Sequence, residues 1–99
     1  MLQLIVLLFA GPSGLDGLRA YEARVMPICR EHGGELVSAS TPDAAADGET
    51  PDEIHILRFP SREHFAAYRN DPRLAALGTL RAAAIRRTVV LVSGAFHEY

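Results

Sequence analysis

Four side chains in the middle of the sequence are of the types that bind a small acid and move a proton: His55, Arg58, His64 and Tyr68. His64 and Tyr68 stand four residues apart, a spacing that puts both on one face of a helix. A histidine close to a tyrosine and an arginine can take up or release a proton near neutral pH while the guanidinium holds an acid or enol. On this reading His64 and His55 carry the proton, and Arg58, Tyr68, Arg81 and Tyr21 line the substrate. Each residue also has a purely structural reading. His55 suits a sheet edge or a subunit interface, His64 an exposed helix face, and Tyr21 a core position with its hydroxyl at the rim. For Arg81 the simpler expectation is a tie to Asp71 between helix ends, and the alternative is a cleft position holding a carboxylate. No spacing among these residues matches an established catalytic template.

Other chemistries lack their residues. All ten basic residues are arginine, so lysine Schiff bases, lysine general bases and the phosphate-loop lysine are excluded. The single cysteine, Cys29, has no partner for an internal disulfide and reads as a small buried apolar residue in a reducing compartment. The four histidines are dispersed without metal-ligand spacing, and no glycine-rich nucleotide motif occurs, so neither metal nor cofactor is expected. A net charge of −2 with no basic stripe argues against a nucleic-acid partner.

The elements that must position these residues follow from hydrophobic periodicity. Leu2 to Phe9 reads as a strand apolar on both faces. It stops at Gly11-Pro12-Ser13-Gly14, where Ser13 and Asp16 resemble a helix cap. A helix follows from Leu15 to His32, with Leu18, Tyr21, Val25, Ile28 and Cys29 on its buried stripe and a kink expected at Pro27. His32 reads as a helix-end histidine, and Gly33-Gly34 as a left-handed stop. Glu35 to Ser40 is a weaker strand, Thr41 to Asp52 a mobile hairpin loop, and Glu53 to Phe59 a third strand. In that strand Ile54, Ile56 and Arg58 share one face, and His55, Leu57 and Phe59 the other.

Ser61 caps a further helix carrying Phe65 and Tyr68 inward, with His64 a candidate third member of that stripe, and Asp71-Pro72 restarts it. Leu74, Leu77, Leu80 and Ala84 continue the apolar face. Arg86-Arg87 reads as a basic pair at the helix end. Arg87 to Ser93 is the last strand, and His97 and Glu98 belong to a tail. The order predicts one α+β domain over residues 1–99, a ferredoxin-like β-α-β-β-α-β fold with helices on one face of a four-stranded antiparallel sheet.

Nothing else in the chain can cover the second sheet face, and each wet aliphatic side chain there forfeits roughly 1.5–3 kcal/mol. A homodimer through sheet faces supplies the cover. The apolar N-terminal run is too short to span a bilayer and lacks a basic leader, so a cytoplasmic setting without membrane contact is expected.

Several segments occur together in an ordered set: Tyr21-Glu22, His32-Gly33-Gly34, Phe59-Pro60-Ser61, Tyr68-Arg69-Asn70-Asp71-Pro72, Leu80-Arg81-Ala82-Ala83-Ala84 and Val89-Val90-Leu91-Val92-Ser93-Gly94. In this the chain resembles the domain-of-unknown-function 1330 family of the dimeric α+β barrel superfamily. The resemblance implies a homodimer with a cleft between sheet and helices in each subunit. The superfamily resemblance suggests oxygenase or isomerase chemistry as the type and nothing finer. Arg58 stands where such proteins often carry an acidic residue. Two rivals remain open: a non-catalytic binding or regulatory dimerisation module, and an RNA-binding domain of the same strand order. The last is disfavoured by the lack of exposed aromatic pairs on the strands.

Overall fold

The computed structural model describes residues 1–44 and 48–99. Its elements are β1 (Leu2–Ala10), α1 (Gly14–Glu31), β2 (Glu35–Ser40), β3 (Glu53–Phe59), α2 (Arg62–Arg69), α3 (Pro72–Ala76), α4 (Gly78–Ala84) and β4 (Ile85–Ser93). The strands form one sheet in the order β2-β3-β1-β4, and every neighbouring pair is antiparallel. This is the ferredoxin-like α+β arrangement that the sequence predicts. The second crossover is three short helices, not two. Leu77 ends α3, and Gly78, which has open space around its Cα, starts α4.

The register divides the strand residues into two sets. Toward the helices lie the rows Thr88–Leu8–Glu53, Val90–Val6–His55 and Val92–Leu4–Leu57, with Leu2 beside Phe59. Away from them lie Val89–Leu7–Ile54, Leu91–Ile5–Ile56 and Ser93–Gln3–Arg58. The core fills the first side. One cluster joins Leu8, Leu18, Tyr21, Val25, Ala84 and Ile85. The other joins Leu2, Leu4, Cys29, Leu57 and Phe59. The α1 stripe of Leu18, Tyr21, Val25, Ile28 and Cys29 is buried as its spacing requires.

Local signals met different fates. Ser61 Oγ accepts from the His64 amide, and Asp71 Oδ1 accepts from the Arg73 amide behind Pro72, so both caps form. Ser13 does not cap α1. Its backbone is helical, and its hydroxyl donates instead to the Ala83 carbonyl at 2.8 Å, fastening the β1–α1 turn to the end of α4. Arg86 and Arg87 are not at a helix end. They lie on β4, both pair with Glu49, and both guanidinium groups stand over the Phe9 ring, at 5.4 and 5.0 Å from its centroid. The β2–β3 loop is also tied at its far end: the Ala10 amide donates to Asp52 Oδ2 at 2.7 Å. The mobility expected at positions 45–47 of that loop lies outside the described residues.

Where α1 turns into β2, Gly33 has φ 81°, a conformation that favours glycine. Gly34 is glycine for space. A Cβ there would meet the Cys29 sulfur, the Cys29 carbonyl oxygen at 2.8 Å and the Phe59 ring at 2.9 Å. Gly34→Ala therefore costs about 1–3 kcal/mol by overpacking. The check is the urea midpoint, which falls while the slope of the transition stays constant.

Candidate functional site

Between the helix-facing side of the sheet and α1, α2 and α4 lies a cleft of about 790 Å³. Aliphatic side chains of the sheet make its floor: Leu4, Val6, Leu8 and Leu57. Val25 and Met26 of α1 and Phe65 and Tyr68 of α2 form walls, and Thr88 and Val90 of β4 stand at one side. Into this mainly apolar space project Tyr21, Glu22, His55 and Arg81.

His55 is 4 % exposed and held from two sides. Its Nε2 lies 2.8 Å from Glu53 Oε1, two residues earlier on the same strand face. A carboxylate at that distance needs a donor, so Nε2 carries a proton. The other oxygen of Glu53 faces Arg19 Nε at 3.5 Å. His55 Nδ1 points toward Glu22 Oε2 at 3.7 Å, an electrostatic approach too long for a hydrogen bond. Burial pushes the Glu22 carboxyl above its ordinary pKa; His55 and Arg81 pull it down, and Glu53 adds to the rise. Tyr21 is likewise raised by burial, against the opposing pull of the Arg81 guanidinium beside its hydroxyl. Tyr68 is raised further still, again by burial. Among the described residues, no three or more His, Cys, Asp or Glu side chains are arranged to hold a metal ion.

Four of the six residues singled out from sequence meet in this cleft: Tyr21, His55, Tyr68 and Arg81. The other two do not. His64 is exposed in the first turn of α2, its Nδ1 2.7 Å from Ser61 Oγ. The four-residue spacing to Tyr68 is real, but the α2 residues that turn inward are Phe65 and Tyr68. Arg58 is on the opposite face of the sheet, donating from Nε to Gln3 Oε1 at 3.0 Å; strand alternation separates it from His55.

Arg81 does not pair with Asp71. Arg73 and His32 take that carboxylate, at 2.9 and 2.8 Å, and hold it well below the usual carboxylate range. This leaves Arg81 at the cleft, with Thr88 Oγ1 3.4 Å away. Cys29 is buried behind the site, its thiol pushed up to about 11 by burial, and is inert.

The residues that sequence reasoning missed are Glu22 and Glu53. A signal for Glu22 was present. It lies four residues after Leu18 and three before Val25, so a carboxylate interrupts the apolar stripe of α1. Glu53 shares a strand face with His55 by alternation.

A family model described as domain of unknown function (DUF1330) matches residues 14–95. Among solved structures, the chain is similar to the RPA0582 protein of unknown function from Rhodopseudomonas palustris. That match has 19% identity and a TM-score of 0.85, over 98% of this chain and 83% of the other. It is similar to an uncharacterised NIPSNAP domain protein from Burkholderia xenovorans, with 16% identity and a TM-score of 0.72 over 97% and 95% of the two chains. It is also similar to a dimeric protein of unknown function and ferredoxin-like fold from Bacteroides fragilis, with 13% identity and a TM-score of 0.65 over 93% of each. No curated protein matches the chain.

Proposed function

Because the chain belongs to the DUF1330 family, a domain of unknown function, we propose its function from the cleft itself: a homodimer that binds a small, partly apolar organic acid or enol and acts on it without a cofactor. The observation that carries this reading is His55, held between Glu53 and Glu22 on the wall of an open apolar cleft that also receives Arg81. An apolar body with one anionic group matches such a lining. The chemistry this supports is proton transfer, of the kind used by cofactor-independent isomerases and oxygenases. An open space of about 790 Å³ has room for a ligand, which a cleft filled by leucine and phenylalanine side chains would lack.

Similarity to proteins described as dimeric supports the homodimer, as does the uncovered aliphatic face. A cytoplasmic setting fits the buried, unpaired Cys29. No helix among the described residues is long and apolar enough to cross a membrane.

The test is thermal unfolding in the presence of a panel of small carboxylic acids and 2-oxo acids. A ligand at a hundred times its Kd stabilises by about 2.7 kcal/mol, which raises Tm by about 11–22 °C in a domain of this size. Arg81→Ala abolishes most of that shift for anionic ligands. A panel without any shift, or shifts of equal size in Arg81→Ala, would overturn the reading.

A further inference from the structure

Glu22 and His55 stand on different elements, one above the cleft on α1 and one in its floor on β3, and both face the same space. Glu53 and Arg19 fix the far side of the imidazole, leaving its Nδ1 directed at Glu22. With Nε2 already protonated, a neutral imidazole would turn a lone pair toward a carboxylate. One further proton settles this, on either partner: a carboxylic acid beside neutral His55, or a carboxylate beside its cation. The 3.7 Å gap is too long for the two to hold that proton in one hydrogen bond. The proton is therefore available to a third group in the cleft that reaches both.

We infer that Glu22 and His55 form a two-station proton shuttle that interconverts the tautomers of an enolisable 2-oxo acid with an apolar body, its carboxylate and keto oxygen turned to Arg81. This rests on the proposed small-acid site and adds the reaction and its two carriers. The Glu22 carboxylate removes a proton from the carbon next to the ketone. The C–H electron pair becomes the C=C bond, and the C=O π pair moves onto oxygen, where Arg81 and the Tyr21 hydroxyl receive the charge. The His55 cation then gives its Nδ1 proton to the oxygen, yielding the enol. Glu22 now holds the proton taken from carbon and His55 is neutral; a solvent water that reaches both groups carries that proton from Glu22 to His55 and restores the starting state. Nothing is oxidised or reduced, and no co-reactant is consumed.

The probe is phenylpyruvate in deuterium oxide, with loss of the methylene proton signal followed by NMR. The wild type accelerates exchange by about 10²-fold or more over buffer, the lower end for a positioned acid–base pair. Glu22→Gln returns it to the buffer rate. The rate rises with pH as Glu22 ionises, in the combined field of His55 and Glu53 from β3, Arg81 from α4, Tyr68 from α2 and its neighbour Tyr21. His55→Asn slows exchange and moves that rise to higher pH, because the positive charge that pulls the Glu22 pKa down is gone; a merely structural histidine would leave its position unchanged.

Glu22→Gln has its own folding control. Burial disfavours the Glu22 carboxylate, so this group destabilises the folded state as pH rises through its raised pKa. The amide removes that penalty, and Tm at pH 7 rises while Tm at pH 4 is nearly unchanged. Phenylpyruvate that shifts Tm without accelerated exchange overturns the shuttle and leaves the binding site standing. Exchange by Glu22→Gln at the wild-type rate also overturns it. Absence of both shift and exchange overturns the shuttle and counts against the acid-binding site beneath it.

Discussion

Ile56→Asp is expected to yield a folded monomer of 10.8 kDa in sedimentation at micromolar concentration, where the proposed wild-type dimer sediments at twice that mass. The expectation comes from the side of the sheet that no helix covers. Two adjacent rows there are wholly aliphatic, Leu91–Ile5–Ile56 and Val89–Leu7–Ile54, and Leu91 is 54 % exposed. A polar row of Ser93, Gln3 and Arg58 bounds them on one side, with Glu35 paired to Arg58 at the sheet edge. An apolar centre with a polar rim is the anatomy of a subunit interface. Ile56 ends one of these rows on β3, an inner strand of the four, so a partner laid over this face covers residue 56 in both copies. The substitution removes two aliphatic side chains, each contributing about 1.5–3 kcal/mol when fully covered, and replaces them with two carboxylates that must lose water. A loss of at least about 4 kcal/mol weakens association roughly a thousandfold. Ala67→Asp, on the exposed outer side of α2, is the control and stays dimeric. A wild type that sediments as a well-folded monomer at micromolar concentration would remove the basis of the proposed dimer.

The sheet was readable because strand alternation and helix periodicity are local. Leu57 and Phe59 turn inward, Ile54 and Ile56 outward, and the α1 stripe points at the sheet without knowledge of the rest of the chain. The same locality explains the errors. Ser13 has the residue type of a cap, but its partner is the Ala83 carbonyl 70 residues away, and no local rule contains that bond. Asp71 has several arginines in reach by sequence; Arg73 wins because it is two residues away and is itself fixed by Glu31 at 2.7 Å. With Asp71 satisfied, Arg81 is left for the cleft.

His64 and Arg58 looked promising because they are close in sequence to His55 and Tyr68. One step along a strand reverses a side chain, which parts Arg58 from His55, and His64 in the first turn of α2 stands at the flank of the face that carries Phe65 and Tyr68 inward. His55, Tyr21, Tyr68 and Arg81 come together only after the chain has crossed the sheet twice. Glu22 is the instructive omission: a charge at a core position of α1 is a conflict between pattern and residue type, and such conflicts collect at functional sites.

Phe59→Ala is expected to lower folding stability by about 3–5 kcal/mol, a large share of the 5–15 kcal/mol typical of a domain. Phe59 is 1 % exposed at the end of β3, in the cluster of Leu2, Leu4, Cys29 and Leu57. Its ring centroid stands 5.3 Å from that of Phe65 and 5.6 Å from that of Tyr68, both tilted, a geometry that adds to area burial. The cavity left by alanine resists collapse. Gly34 already packs against the ring from one side, and β3 is held between β1 and β2.

The effect reaches the cleft because Phe65 and Tyr68 line it with one part of each ring and rest on Phe59 with another. Removing that support frees the α2 wall while leaving His55, Glu53 and Glu22 in place on β3 and α1. Chemical denaturation measures the first consequence directly. The second separates from it in ligand titrations: Phe59→Leu, which keeps most of the volume, recovers most of the stability but loses the ring contacts that orient Tyr68. Ligand affinity in Phe59→Leu equal to wild type would mean that the α2 wall is positioned by its own caps, Ser61 and Asp71, and not by the aromatic stack beneath it.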